Sequence, residues 1–124
     1  MSGRLVVIGS GETSPTLVKT HRTLLADAID PLMLDTPFGF QANADDLTEK
    51  IQTYFSDSVG TALTPARWRN RDEPLVDRER TLALLSRSNY VFAGPGSPSY
   101  ALRQWQDTAV PQALIDLVQR GGTV

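Results

Sequence analysis

The sequence predicts an α/β domain with a doubly wound, mainly parallel sheet. Short apolar runs alternate along the 124 residues with amphipathic segments at helical spacing, a pattern typical of parallel strands joined by helical crossovers. Most positions of each run are apolar, which is typical of strands that are buried on both faces. Two of them end in a pair of glycines followed by the start of a helix, which favours tight turns at the carboxyl edge of a sheet.

Four segments are predicted strands. The first lies at residues 5–8, reads Leu-Val-Val-Ile and ends at a glycine turn. The others lie at residues 31–34, 59–63 and 90–93. Each closes on glycine, proline or aspartate, so each is expected to lie inside the sheet and to end at the same edge of it.

Five segments are predicted helices. The first can be capped by Thr13 or Ser14. The second follows Asn43, which resembles a cap, and the third runs from about residue 75 to 88. The fourth opens at Pro98, a residue suited to the first turn of a helix, and the last ends at a glycine pair.

After the last helix the chain extends for only two residues, Thr123 and Val124. A covered central strand typically runs ~5–6 residues. We therefore expect residues 1–124 to form a single α/β domain that is the N-terminal part of a longer one, truncated before the next central strand. The exposed edge left there predicts self-association or a marginal fold.

Composition and charge exclude several classes of function. Hydrophobic residues make up 40% of the chain and charged residues 21%, and the net charge of −2 gives no general attraction to nucleic acid or to an anionic membrane. The absence of cysteine excludes disulfides and thiolate sites, and a single histidine makes a zinc site of the usual kind implausible. No metal or cofactor is predicted. Without a membrane-length apolar run or a signal peptide, the expected location is the cytoplasm.

The loop after the first strand has two interpretations. Gly9 and Gly11 resemble part of a dinucleotide fingerprint, with Asp35 at the end of the second strand in position to hold a ribose. The third fingerprint position is Ser14 instead of glycine, and Glu12 places a carboxylate where a pyrophosphate would approach. A tight turn with a helix cap is therefore favoured over nucleotide binding, and Glu12 could instead contact a cationic substrate group.

The turn after the fourth strand is the stronger candidate for a ligand site. Pro95 has no N–H, so the amides that could face a ligand are those of Gly94, Gly96 and Ser97. Gly96 allows close backbone approach, and Ser97 can cap the helix that Pro98 opens. Amides at such a helix start suit a carboxylate or an oxyanion, and a plain strand-to-helix turn is the alternative.

Other polar residues are more simply explained by structure than by chemistry. His21 lies among apolar helix positions and is expected to be packed in the core. Arg67, Arg69 and Arg71 alternate around Trp68 in a polar stretch, for which a solvated loop is favoured over recognition of an acidic group or of single-stranded nucleic acid. Their role stays open at this point.

Two segments resemble the class I glutamine amidotransferase-like superfamily, and within it the peptidase S51 branch, which includes dipeptidase E and cyanophycinase. They are Leu5-Val-Val-Ile-Gly-Ser-Gly-Glu12 and Tyr90-Val-Phe-Ala-Gly-Pro-Gly-Ser97, the second followed by a helix ending near Trp105. The resemblance implies a flavodoxin-like sheet. It also implies that an amide of the glycine turn helps to form an oxyanion hole. The family usually has two adjacent glycines in this turn, whereas here Pro95 separates Gly94 and Gly96. The resemblance further implies a serine nucleophile after the next strand and a histidine later still, so neither is expected within these residues.

The predicted function is that of the N-terminal part of a serine hydrolase, in which a serine attacks an amide or peptide carbonyl and forms an acyl-enzyme. The Gly96 and Ser97 amides are predicted to stabilise the oxyanion, and the chain alone is expected to be inactive. The expected partner is a peptide or small-molecule substrate of the longer protein, not a membrane or a nucleic acid. The alternatives are a ligand- or nucleotide-binding flavodoxin-like domain that uses the first loop and Asp35, and a regulatory or interaction module.

Overall fold

The computed structural model describes residues 3–9 and 11–124. Met1, Ser2 and Ser10 lie outside the described residues, and Ser10 belongs to the predicted first loop. The elements in chain order are a 3₁₀ turn (Pro15–Leu17), α1 (Val18–Leu24), β1 (Leu32–Leu34), a 3₁₀ turn (Thr36–Phe38), α2 (Ala44–Thr53) with a π-helical continuation (Tyr54–Val59), β2 (Thr64–Ala66), α3 (Leu75–Arg87), β3 (Val91–Ala93), α4 (Pro98–Trp105) and α5 (Val110–Gln119).

The three strands form one parallel sheet in the order β2-β1-β3. Met33, in the middle of β1, is in register with Pro65 of β2 on one side and with Phe92 of β3 on the other. All three residues of β1 are buried, which explains why this strand is apolar at every position. The predicted α/β class with a parallel sheet is confirmed.

Helices cover both faces of the sheet. Because successive side chains of a strand point to opposite faces, Met33 joins one core layer while Leu32 and Leu34 join the other. The first layer includes side chains of α2 and its continuation, and the second includes side chains of α3 and α5. Within the described ranges, no helix combines the length and the apolarity that crossing a membrane requires.

The first predicted strand is wrong in its burial and extent. Arg4 makes an isolated parallel bridge to Thr123, whereas Leu5 and Val7 are 73% and 88% exposed. Among the described residues, the backbone of this segment is hydrogen-bonded on one side only, through Arg4 and Val6, to residues 122–124. Apolar sequence alone does not bury a strand, because burial needs neighbouring strands and covering helices, and this segment has little of either among the described residues.

The third predicted strand is displaced toward the C-terminus. Residues 54–59 continue α2 as a π-helical turn, in which Phe55 and Val59 are buried. These two side chains are four residues apart and therefore share one helical face, and this packing outweighs the β-like local sequence. Gly60 then adopts a left-handed φ of +92° and stops the helix, so the strand begins only at Thr64.

The position of β1 at the centre of the sheet leads to a stability prediction. Leu34→Ala should lower the free energy of unfolding by about 2–5 kcal/mol, because it leaves a cavity at a fully buried site. Leu75→Ala removes the same atoms from the first turn of α3, where the side chain is 61% exposed, and should change it by less than about 0.5 kcal/mol. Urea denaturation measures both, and equal losses would contradict the central position of β1.

Candidate functional site

The carboxyl ends of parallel strands meet at one edge of a sheet, where open α/β folds bind ligands. Here the loops at residues 35–40, 67–73 and 94–97 follow β1, β2 and β3. The loop that contains Gly9 and Glu12 borders the same groove as the turn after β3. The structure therefore brings together the two loops that the sequence analysis singled out.

Ser97 ties the turn after β3 to the loop after β1. Its N–H donates to the Pro37 carbonyl at 2.7 Å, and its hydroxyl accepts from the Tyr100 N–H at 3.1 Å. The predicted role of Ser97 as the cap of α4 is confirmed. Its amide, which was predicted to face a ligand, is engaged within the protein instead. The reason is that β1 and β3 are neighbours, so their loops are close enough to bond.

Gly94 and Gly96 hold the same turn in conformations that other residues rarely adopt, with φ of +139° and +145°. The Gly94–Pro95 peptide bond is cis. A Cβ at Gly96 would overlap the carbonyl of Pro37, so only glycine permits this approach of the two backbones. Among the described residues, the N–H groups of Gly94 and Gly96 have no hydrogen-bond partner. Both glycines border the groove.

The groove has a volume of about 680 Å³ and lies between β3 and the N-terminal segment. Val6 and Ile8 line one wall, and the residues of β3 line the other. Of the described residues that line it, Glu12 alone has a side chain charged at neutral pH. Burial raises the pKa of Tyr90, another lining residue, to about 12, so its phenol stays neutral.

The first loop is tied to the helices behind it. The Ser14 N–H donates to the Gly11 carbonyl at 2.8 Å and closes a turn that presents Glu12. His21 donates from Nε2 to the Glu12 carbonyl at 2.6 Å, and the Tyr54 hydroxyl donates to the Ser14 carbonyl at 2.8 Å. The prediction that His21 is packed in the core is confirmed, since it is fully buried. Its additional role is to hold the backbone of Glu12.

The geometry around the first loop does not favour nucleotide binding. The loop leads into a 3₁₀ turn that begins at Pro15, which has no N–H, and the following α1 has only 7 residues. Asp35, the predicted ribose ligand, accepts hydrogen bonds from the Trp68 N–H at 2.7 Å and from Arg69 Nε at 3.0 Å. Both of its carboxylate oxygens are therefore engaged within the protein.

Asp35 anchors the stretch after β2, which is only in part the solvated loop that was predicted: Arg67 and Arg71 are exposed, whereas Trp68 and Glu73 are buried. Asp35 is 4% exposed, and Trp68 is buried beside it. Arg69 pairs with both Asp35 and Asp45, and its backbone N–H donates to Glu73 at 2.8 Å. Burial raises the pKa of Asp35, an effect that the hydrogen bonds from Trp68 and Arg69 oppose. The apolar bulk of Trp68 and the buried Asp35 carboxylate draw Trp68 and Arg69 inward, whereas the neighbouring Arg67 and Arg71 stay exposed.

The other two arginines of this stretch also make structural contacts. Arg67 pairs with Glu73 at 3.5 Å, and the Arg71 guanidinium donates to the Gln106 carbonyl at 3.1 Å. The three arginines thus hold loops, which argues against a free cationic surface for nucleic acid. In the described ranges, no cluster of histidine, aspartate and glutamate side chains is arranged to hold a metal ion.

Sequence reasoning missed the residues after β1 that support the site. Thr36 donates to the Trp68 carbonyl and accepts from the Trp105 indole at 2.9 Å, and Pro37 holds Ser97. The only signal in the sequence is a proline turn directly after an apolar run. Its partners depend on the order of the strands, which the sequence does not reveal.

No protein-family model and no curated protein matches the chain. The structure is similar to the crystal structure of a peptidase from an acI-B1 Actinobacterium, with a TM-score of 0.81 and 21% sequence identity. The similarity covers 99% of this chain and 52% of that one, so the chain spans about half the length of the peptidase. At this identity the comparison shows a shared fold.

The contact between Asp35 and Arg69 leads to a stability prediction with a defined pH dependence. Arg69→Met leaves the buried Asp35 carboxylate without its cation and should lower the free energy of unfolding by about 3 kcal/mol at neutral pH. The pKa of Asp35 is already raised in the folded protein and should rise further in this variant. The folded variant then keeps a proton that the unfolded chain, at the ordinary value of 3.8, releases, so its stability falls as pH rises above 3.8.

Urea denaturation of wild type and variant between pH 4 and pH 7 measures this effect, and the deficit should shrink toward the acid end. Arg69→Met combined with Asp35→Asn is the control, because a neutral side chain removes the titration. It should recover part of the stability and lose the pH dependence of the deficit. A deficit that stays constant with pH in the single variant would contradict the role assigned to Asp35.

Proposed function

We propose that this chain forms the oxyanion side of the active site of a serine hydrolase that cleaves amide or peptide bonds, as in the peptidase S51 branch of the class I glutamine amidotransferase-like superfamily. In this proposal the serine nucleophile belongs to polypeptide beyond Val124. The observation that carries it is the N–H of Gly96, which has no hydrogen-bond partner among the described residues and belongs to the turn at the carboxyl end of β3 that borders the groove. The fold shared with a peptidase supports the same reaction class.

Acyl transfer to a serine is faster when a hydrogen-bond donor for the carbonyl oxygen is already in position before the reaction starts. When a nucleophile attacks an acyl carbon, negative charge develops on the carbonyl oxygen, and a fixed N–H stabilises that charge without reorganisation. The bond from Ser97 to Pro37 holds the turn that carries Gly96. Loss of one such donor typically costs ~10²–10³ in rate.

The groove offers a place for one further parallel strand. Thr123 is bridged to Tyr90 on one side and to Arg4 on the other. The backbone bonds continue on the N-terminal side with Val6 N–H donating to the Val124 carbonyl at 2.8 Å. Beyond this point, β3 and the N-terminal segment line opposite walls of the groove.

The backbone groups that face this gap support the same placement. By the alternation of a parallel ladder, they are the Val91 carbonyl and the Ala93 N–H on one wall, and the Val6 carbonyl and the Ile8 N–H on the other. None of these four groups has a hydrogen-bond partner among the described residues. A strand continuing from Val124 would satisfy them, and its carboxyl end would lie beside Gly96, where a nucleophile is needed.

The serine and histidine side chains near the groove do not supply that nucleophile. The Ser97 hydroxyl caps α4, and His21 is buried and bound to the Glu12 carbonyl. No serine hydroxyl is hydrogen-bonded to a histidine in the described part of the chain. We therefore expect the 124 residues alone to lack hydrolytic activity.

The test uses the complete product of the gene that encodes these residues, together with the 124-residue chain. A fluorophosphonate probe should label a serine beyond Val124 in the complete product, as mass spectrometry of the digested protein would show. The 124-residue chain should not be labelled. Labelling of any serine within residues 1–124, or no labelling of the complete product, would overturn the proposal.

Alanine substitutions at two separate glycines, Gly96 and Gly60, test the oxyanion donor and provide its control. Gly96→Ala displaces the turn and should slow labelling by about 10². Gly60→Ala introduces an alanine at a left-handed φ of +92° in open space, at the end of α2 and away from the groove. It shares the positive φ of Gly96 without the overlap with Pro37, and it should label at the wild-type rate. Equal rates for the two variants, with both folded by circular dichroism, would contradict the role of Gly96.

A further inference from the structure

We propose that Phe40 and Tyr100 form an aromatic platform at the carboxyl edge of the sheet, which binds an uncharged aromatic side chain of the substrate. This inference rests on the proposed function for the identity of the ligand as a substrate. It names the substrate class: amides or peptides that carry an aromatic side chain a short distance along the chain from the bond that is cleaved.

The platform is exposed at the edge where open α/β folds bind ligands. Phe40 ends the loop after β1 and is 55% exposed. Its ring lies against that of Tyr100, in the first turn of α4, with the ring centroids 5.0 Å apart and the planes tilted by 57°. Neither ring lines the groove that a strand continuing from Val124 would fill. The platform is therefore a separate surface from that groove.

Backbone contacts hold both rings before any ligand arrives. Gly39 packs against the backbone of Arg69 so closely that a Cβ would overlap the Arg69 carbonyl, which fixes the residue directly before Phe40. The Tyr100 hydroxyl donates to the same carbonyl at 2.6 Å, and the Tyr100 N–H donates to the Ser97 hydroxyl at 3.1 Å. A surface held in this way loses little conformational freedom on binding, which favours affinity.

The platform lies within reach of a substrate whose carbonyl is bound at Gly96. A Cβ at Gly96 would overlap the Pro37 carbonyl and the Phe38 nitrogen, so the two backbones are in direct contact there. Phe40 follows Phe38 closely in the chain, and with ~3.8 Å between consecutive Cα atoms their Cα atoms are at most roughly 8 Å apart. An extended peptide spans ~3.3–3.6 Å per residue, so a side chain about two or three residues from the bound carbonyl can reach Phe40.

The groups around the platform favour an uncharged aromatic ligand. Arg69 pairs with Asp35 and Asp45, so its guanidinium is already compensated. Burial raises the pKa of the Tyr100 phenol, which therefore stays neutral. Aromatic rings in tilted or offset contact are stabilised beyond the effect of their buried area, so an aromatic side chain gains more here than an aliphatic one of the same size.

Three neutral probes test this preference in NMR titrations of the ¹⁵N-labelled 124-residue chain. N-acetyl-L-phenylalaninamide carries an aromatic ring, N-acetyl-L-cyclohexylalaninamide carries an aliphatic ring of the same size, and N-acetyl-L-alaninamide carries neither. We expect the aromatic probe to shift the amide signals of Phe40 and Tyr100 with at least about threefold higher affinity than the cyclohexyl probe, and the alanine probe to bind most weakly.

Phe40→Ala should abolish this preference, and so should Phe40→Leu, which keeps an apolar side chain without the ring. Ile29→Ala is the matched control, because it removes an apolar side chain of similar exposure, 63%, ahead of β1 at the opposite end of the strand. It should keep the preference. Equal affinity of wild type for the aromatic and cyclohexyl probes, no shift at Phe40 and Tyr100, or a preference that survives in both Phe40 variants would overturn the inference.

Kinetics of the complete gene product separate this inference from the proposed function. If no acyl-enzyme forms while Phe40→Ala still abolishes the preference for the aromatic probe, the aromatic platform stands and the hydrolase proposal fails. If acyl-enzyme forms at equal rates from peptides that differ only in phenylalanine or alanine at these positions, in both wild type and Phe40→Ala, the hydrolase proposal stands and the aromatic platform fails.

Discussion

Three consecutive residues after the central strand connect the loops of both neighbouring strands. Asp35 accepts from the Trp68 amide, Thr36 bonds to both Trp68 and Trp105, and the Pro37 carbonyl accepts the Ser97 amide. All three follow β1 directly, and β1 has a neighbour on each side. The conformation of the carboxyl edge, including the turn that carries Gly96, therefore depends on this short segment.

The buried carboxylate of Asp35 shows how a polar group can organise a fold without serving a ligand. Its burial disfavours the charged form and raises its pKa, and the hydrogen bonds donated by Trp68 and Arg69 offset part of that cost. Glu12 is the opposite case, since it lines a groove and has no cation beside it among the described residues. The two carboxylates lie near the same edge of the sheet. The oxygens of Asp35 are hydrogen-bonded within the protein, whereas those of Glu12 have no cation beside them among the described residues.

Much of the fold could be predicted from local pattern, and the errors have physical causes. The strand at Leu32–Leu34, the cap at Ser97 and the packed His21 were predicted because each depends on local sequence or on apolar spacing. The third strand was displaced because Phe55 and Val59 pack as helical neighbours. The first strand was predicted inside the sheet because its residues are apolar, but in the structure Leu5 and Val7 are exposed. Local propensity does not reveal the tertiary contacts that bury a segment or select its conformation.

The sequence by itself determined the α/β class, the parallel sheet and the two glycine-containing loops, because alternation, apolar runs and turn residues are properties of neighbouring positions. Only the tertiary structure decided which of the predicted backbone amides the protein itself uses in hydrogen bonds. It assigned the Ser97 amide to Pro37 and left the Gly96 amide without a partner in the described chain. The physical reason is the strand order, which brings the loops of β1 and β3 side by side and so determines which hydrogen-bonding groups the protein itself uses.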